Sequence, residues 1–249
     1  MAFYHGILLY IVHIIIAVKA SVQAWLSSFK TPLQFRRKRT RTRLKTDAKS
    51  LKKLPLHVGL VMLEDELSYQ DVANIIVWCM AMGISYISLY DTEGIFKRNY
   101  VALNEEISKQ QEEILGEEAT KYSYQIYKSG KVLGNKALSS RVHVNLVSPQ
   151  DGRHDIVTAA KQFCLDIASK RRNVKDIEIS TLAHQLQGSH FPDPDVVFKF
   201  GQVESVLGFL PFQIRLSEIL SIASHRNIDY NTFLAKMIAY AGTQQRYGK

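Results

Sequence analysis

Apolar residues run from Ala2 to Val18, interrupted only by His5 and His13, and after Lys19 the pattern resumes with Ala20, Val22, Ala24, Trp25 and Leu26. Seventeen helical residues reach about 26 Å, slightly under the ~30 Å hydrocarbon core of a bilayer. Snorkelling of Lys19 and an interfacial Trp25 extend that reach by a turn or two. The pattern therefore predicts an N-terminal membrane helix within residues 1–29. A cleaved signal peptide would carry its positive charge ahead of the apolar run. Here the first basic residue is Lys19, and the dense cluster from Arg36 to Arg39, with Arg41 and Arg43, comes later. By the positive-inside rule, everything after Lys30 is expected in the cytosol.

From Leu54 onward, short β-rich runs alternate with helical periodicity. Leu56 to Met62 reads as a strand. Tyr69 to Met82 reads as a helix with Val72, Ala73, Ile76, Val77 and Met80 on one face, and Ile84 to Tyr90 as a second strand. Gly83 is placed to cap the helix between them. A polar helix is expected from about Val101 to Glu118, followed by a weakly patterned loop or insertion from Lys121 to Ser140. Val142 to Val147 then reads as a strand and Asp151 to Lys170 as a helix. Asp195 to Phe200 reads as a strand entered through Pro192 and Pro194. A last strand around Glu218 to Ile222 precedes a helix from about Asp229 to Ala241. Such alternation predicts one α/β domain, residues 54–249, with a largely parallel sheet flanked by helices.

Charge changes this picture in one place. The net charge is +9, but eleven of the 32 Lys and Arg residues lie between Lys30 and Lys53, against a single acid, Asp47. Residues 30–53 are therefore expected to form a basic juxtamembrane tether on anionic lipid headgroups, each base contributing about 1 kcal/mol near the surface. The rest of the chain is nearly neutral, and it has neither RNP-like aromatics nor zinc-finger spacing, so no nucleic-acid partner is expected. Cys79 and Cys164 each sit in an apolar helical pattern and are expected to be buried free thiols. There is no glycine-rich nucleotide loop, no GxSxG elbow and no HExxH. The eight histidines are scattered, and each reads as a surface or core residue. The Glu105-Glu106, Glu112-Glu113 and Glu117-Glu118 pairs read as a solvated helix face.

Resemblance carries the reading further. His57-Val58-Gly59-Leu60-Val61-Met62 resembles the first strand of the cis-prenyltransferase (undecaprenyl diphosphate synthase-like) family, which ends in Met-Asp-Gly-Asn; here Leu63-Glu64-Asp65 follows. Asp151-Gly152-Arg153-His154-Asp155-Ile156-Val157 is similar to that family's Gly-Gly-Arg-Trp-Asp-Ile-Val. Asp195 to Gln202 aligns without a gap to its Asp-Leu-Val-Ile-Arg-Thr-Gly-Gly, and Phe209 to Ile214 continues the match. In the family the strand-end aspartate organises Mg²⁺ and the allylic diphosphate, and Leu63 offers a metal no oxygen. Lys199 stands for the first diphosphate-binding arginine, and Ser205 and Leu207 for a later arginine and serine. A guanidinium fork is not replaced conservatively at a phosphate site. Glu218 matches the family's second carboxylate but cannot rebuild the site alone.

The chain closes on Gln245-Arg246-Tyr247-Gly248-Lys249. This Arg-x-Gly ending, with Trp78 to Ala81, Ile84 to Ser88, Gly94 to Asn99 and Leu207 to Pro211, resembles the accessory-subunit branch of the family, found in eukaryotic dehydrodolichyl diphosphate synthase. The resemblance implies a chain inactive by itself, paired with a catalytic cis-prenyltransferase subunit at the endoplasmic reticulum membrane. Mg²⁺ would be held in the partner's active site, and this chain would hold no metal. Arg246 and Gly248 would act as the catalytic contribution, with Arg246, Tyr247 and Gly248 contacting polyprenyl diphosphate at the shared site. Phe209, Pro211, Phe212, Arg215 and Glu218 would line the interface. Two other readings remain: a membrane receptor or scaffold without a role in prenyl transfer, and an active homodimer.

Overall fold

The computed structural model describes residues 41–128, 130–133, 141–186 and 191–244. All of them belong to the unit running from Lys38 to Lys249. Among these residues seven strands form one sheet in the order β4-β3-β5-β2-β1-β6-β7. They are β1 His57–Met62, β2 Tyr86–Asp91, β3 Tyr124–Lys128, β4 Lys131–Leu133, β5 Val142–Val147, β6 Val196–Phe200 and β7 Glu218–Ile222. Every pairing is parallel except β3 with β4. The mostly parallel α/β architecture expected from the alternation is therefore present.

The stretch read as a loop between Lys121 and Ser140 contributes the antiparallel β3–β4 pair. Among its described residues Ile126 is the one deeply buried aliphatic, and Gly130 takes the left-handed backbone at φ 73° that the reversal requires.

One sheet face carries the main core. Val58, Leu60, Met62, Ile87, Leu89, Val144, Leu146, Val196, Phe198 and Phe200 point to this side, two residues apart along each strand. They pack on α2 (Tyr69–Met82), α4 (Tyr100–Leu115) and α7 (Tyr230–Gly242). Helix α2 begins at Ser68, whose hydroxyl accepts from Asp71 N, and stops at Gly83, φ 95°, as expected. It is buried on all sides and not along one stripe. Trp78 lies edge-on to Tyr230 at 5.5 Å and tilted against Phe233 at 5.7 Å, closing its outer face.

Two expectations change here. Residues 41–50 of the tether form helix α1 (Arg41–Ser50), whose Leu44 and Ala48, one helical turn apart, are buried in the main core. The folded body thus starts before Leu54. Cys79 is buried as expected. Cys164 is exposed on α5 (Arg153–Ala168), which buries only Ala159 and Phe163. No helix among the described residues is long and apolar enough to cross a membrane, and the membrane helix expected within residues 1–29 lies outside them.

The opposite sheet face carries a smaller core of Val61, Tyr90, Val147, Val197, Phe209 and Leu210. It is roofed by the connection from β6 to β7. Gly59 has no side chain because the Phe209 ring occupies that space: a Cβ there would sit 2.9 Å from its Cε1.

Candidate functional site

In an open parallel sheet a ligand crevice forms beyond the carboxyl ends of the strands, where the connections diverge. Here β1 lies between β2, reached by the next connection, and β6, reached much later, so the crevice is at the ends of β1 and β6. Leu63 N donates to Phe200 O at 3.0 Å and holds the two ends together. Gly201, φ 109°, lies so close that a Cβ would come within 3.2 Å of Leu63 O.

The chain fills this crevice with its own polar groups. Glu64 accepts from Ser224 Oγ at 2.6 Å, from His225 N at 2.8 Å, and from His225 Nδ1. Ser68 N donates to His225 Nε2 at 2.9 Å, so Nε2 must be the lone-pair nitrogen and Nδ1 carries the proton. His225 is therefore neutral, fully buried, and edge-on to Phe200. Ser68 Oγ passes on to Asp71 Oδ2 at 2.7 Å, which also accepts from Asn227 N at 3.0 Å. Burial opposes ionisation of Glu64, but the hydrogen bonds from His225 and Ser224 outweigh it and hold the carboxyl below its usual range. Leu63 supplies no oxygen, Glu64 is committed to this network, and Glu66 pairs with Arg226. These residues do not fit a Mg²⁺ site. No described group of three or more His, Cys, Asp or Glu has metal-binding geometry.

The connection from β6 to β7 bears the other aligned positions. Lys199 is buried and folds onto its own loop, donating to Val203 O with Glu204 at 4.0 Å. Ser205 Oγ accepts from Leu207 N at 3.1 Å. Leu207 and Leu210 have φ of 41° and 34°, a strained backbone for branched side chains. Tyr90 Oη donates to Leu207 O at 2.7 Å, and Gly208 O lies against Gly152 at the start of α5. A diphosphate thus meets no guanidinium at these positions.

Of the residues expected at the interface, Phe209 is fully buried within this chain, 5.6 Å from Tyr90 and over Gly59. Pro211 and Phe212 are half-buried, and Arg215 is exposed with its guanidinium 4.6 Å over the Phe212 ring. Glu218 opens β7, the outermost strand of the sheet on that side. Around them Val203, Leu207, Leu216 and Ile219 are exposed, the last two at 61% and 45%. Arg246, Tyr247 and Gly248 lie outside the described residues.

Sequence reasoning missed Lys97, a buried cation that donates to Asp151 and to Ser148 Oγ at 3.1 Å and pins the start of α5. It also missed the Glu64–His225 pair. Neither has a spacing signal, since the partners are 54 and 161 positions apart.

The prenyltransferase family model described for undecaprenyl diphosphate synthase matches residues 108–248. The chain is 48% identical to the human protein "Dehydrodolichyl diphosphate synthase complex subunit NUS1", over 84% of this chain and 72% of that one. This chain belongs to the undecaprenyl diphosphate synthase-like prenyltransferase family. A second family member, the Saccharomyces cerevisiae protein of the same description, is 25% identical over 83% of this chain and 62% of its own length. Among solved structures the prenyltransferase fold recurs in lavandulyl diphosphate synthase from Lavandula x intermedia, TM-score 0.54 at 13% identity, covering 78% of this chain and 98% of that one. It recurs too in an undecaprenyl diphosphate synthase from Campylobacter jejuni, TM-score 0.51 at 19% identity, covering 79% and 100%. At such identities these two establish the fold alone.

Proposed function

We propose that this chain is the non-catalytic subunit of a dehydrodolichyl diphosphate synthase complex. That complex condenses isopentenyl diphosphate with farnesyl diphosphate in cis and yields the polyprenyl diphosphate precursor of dolichol for protein glycosylation. The observation that carries the reading is the crevice at the ends of β1 and β6. Where a catalytic member needs an oxygen ligand this chain has Leu63, and the space beyond is locked by Glu64, His225 and Ser68.

The partner subunit then holds Mg²⁺ and both diphosphates. This chain contributes the surface around Pro211, Phe212, Arg215 and Glu218, where exposed Leu216 and Ile219 give an apolar strip for a partner to cover. Its tail brings Arg246, a fixed cationic fork, and Gly248, which permits close backbone approach, to the partner's diphosphate site. The apolar segment within residues 1–29 anchors the chain in the endoplasmic reticulum membrane, beside a product that is itself a membrane lipid. Basic residues after Lys30 lie on anionic headgroups.

The test is mass spectrometry of proteins that copurify with the tagged chain from microsomes. A catalytic cis-prenyltransferase subunit should be recovered, and the double variant Leu216→Asp, Ile219→Asp should lose it. Recovery of no prenyltransferase subunit would overturn the proposal.

A further inference from the structure

The smaller-core face of the sheet holds a cavity of about 190 Å³ that the family's aligned positions do not explain. Ser88 and Asn145, direct neighbours in register, line it and point away from α2, because their flanking residues Ile87, Leu89, Val144 and Leu146 point into the main core, while Gly59 beyond Ser88 is covered by the Phe209 ring. The opening is set by Asp155 on α5, by Gln213 after the Leu210 turn, and by Phe191.

Two polar groups in it are left without partners. Asn145 is only 9% exposed, yet its amide makes no hydrogen bond among the described residues and faces the cavity. The amide borders the cavity, where a ligand or water supplies its hydrogen bonds. The Asp155 carboxylate likewise has no hydrogen-bond or ion-pair partner there. Burial, followed by the charge of Asp151, pushes its carboxyl above the usual range. Asp151 is already neutralised by Lys97, so Asp155 is the remaining unpaired charge of the wall.

The other lining groups narrow the chemistry. Among the described residues no Lys or Arg lines the cavity. Burial keeps His57 neutral, its Nδ1 donating to Pro192 O at 2.6 Å and its Nε2 lying 2.9 Å from Ser88 Oγ. Among the described residues a diphosphate would therefore meet a carboxylate and no cation. The Phe191 ring, packed edge-on to Tyr86 and Tyr127, presents an aromatic surface of the kind that attracts cations. The volume accommodates roughly a dozen water-sized positions, the scale of a small organic molecule.

We propose that this cavity binds a small hydroxylated organic ammonium compound, its ammonium on Asp155 against Phe191 and its hydroxyls on Asn145 and Gln213. The site is separate from the crevice at the ends of β1 and β6.

The matched probes are D-glucosamine, which carries the ammonium, and D-glucose, which replaces it with a hydroxyl. Saturation-transfer NMR on the full chain in nanodiscs, with empty nanodiscs subtracted, measures both. Glucosamine should bind saturably and at least tenfold more tightly than glucose. Asp155→Asn should abolish that preference, and Asn145→Leu should weaken glucosamine at least fivefold. Gln213→Ala, at a half-buried position, gives a second reading on the hydroxyl contacts if Asn145→Leu fails to fold. Equal binding of the two probes, no saturable binding, or a preference that survives Asp155→Asn would overturn the assignment.

Discussion

Acidification should destabilise the folded body through His57, and the size of the effect follows from its surroundings. Burial at the start of β1 lowers the imidazole from its ordinary 6.5 to about 4, although the Pro192 carbonyl and the Asp195 carboxylate pull in the opposite direction. The unfolded chain takes up a proton near pH 6.5, whereas the folded chain resists it until about pH 4. Stability from this group is therefore complete above pH 6.5 and is lost as the pH falls toward 4. The full span is worth roughly 3 kcal/mol at about 1.4 kcal/mol per pH unit, and about 2 kcal/mol of it is gone by pH 5. The assay is urea unfolding of residues 38–249 at pH 7.5 and pH 5.0, for the wild type and for His57→Gln. The variant loses stability at pH 7.5, because Ser88 and Pro192 lose a partner, at about 1–3 kcal/mol. Its further loss on acidification should be about 2 kcal/mol smaller than the wild type's. Glu64, held below the usual carboxylate range, loses its contribution only at lower pH and leaves this window clear. If both proteins lose the same stability between pH 7.5 and 5.0, the burial argument for His57 is wrong.

Two further outcomes are expected. Gly152→Ala would place a Cβ 2.2 Å from Gly208 O, a backbone atom that cannot yield locally, so it should cost about 2 kcal/mol or more and lower the Tm by several degrees in a thermal melt. In the assembled complex, Arg246→His or Gly248→Ala should leave assembly intact while lowering kcat/KM, by up to the 10²–10³ typical of a lost preorganised donor; reduced assembly would make the tail an interface element only.

Sequence patterning reached the elements with clean periodicity. β1, β5, β6 and β7 alternate or run apolar where the structure has strands, and Gly83 ends α2 where only a left-handed residue can. The β3–β4 hairpin escaped because its strands are short and mostly Tyr, Gln and Lys, with Ile126 buried and Val132 and Leu133 only half-buried, too few aliphatic positions to show a strand period. Helix α1 escaped because Leu44 and Ala48 are two apolar positions in a basic background, too few to outweigh the charge pattern. The burial of Phe209, expected at the interface, was not legible because a Gly-Phe-Leu-Pro run in a connection carries no direction. The turn at Gly208, φ 87°, sends the ring inward onto Gly59. At the site, the substitutions Leu63 and Lys199 were legible by resemblance. The Glu64–His225–Ser68 lock was not, because it joins segments brought together only by the sheet.

The most direct test of the central claim is incorporation of labelled isopentenyl diphosphate onto farnesyl diphosphate with Mg²⁺, comparing this chain purified to homogeneity with the same chain mixed with the catalytic subunit. The account predicts background incorporation by the chain alone and sustained turnover by the mixture. Turnover by this chain alone would contradict it.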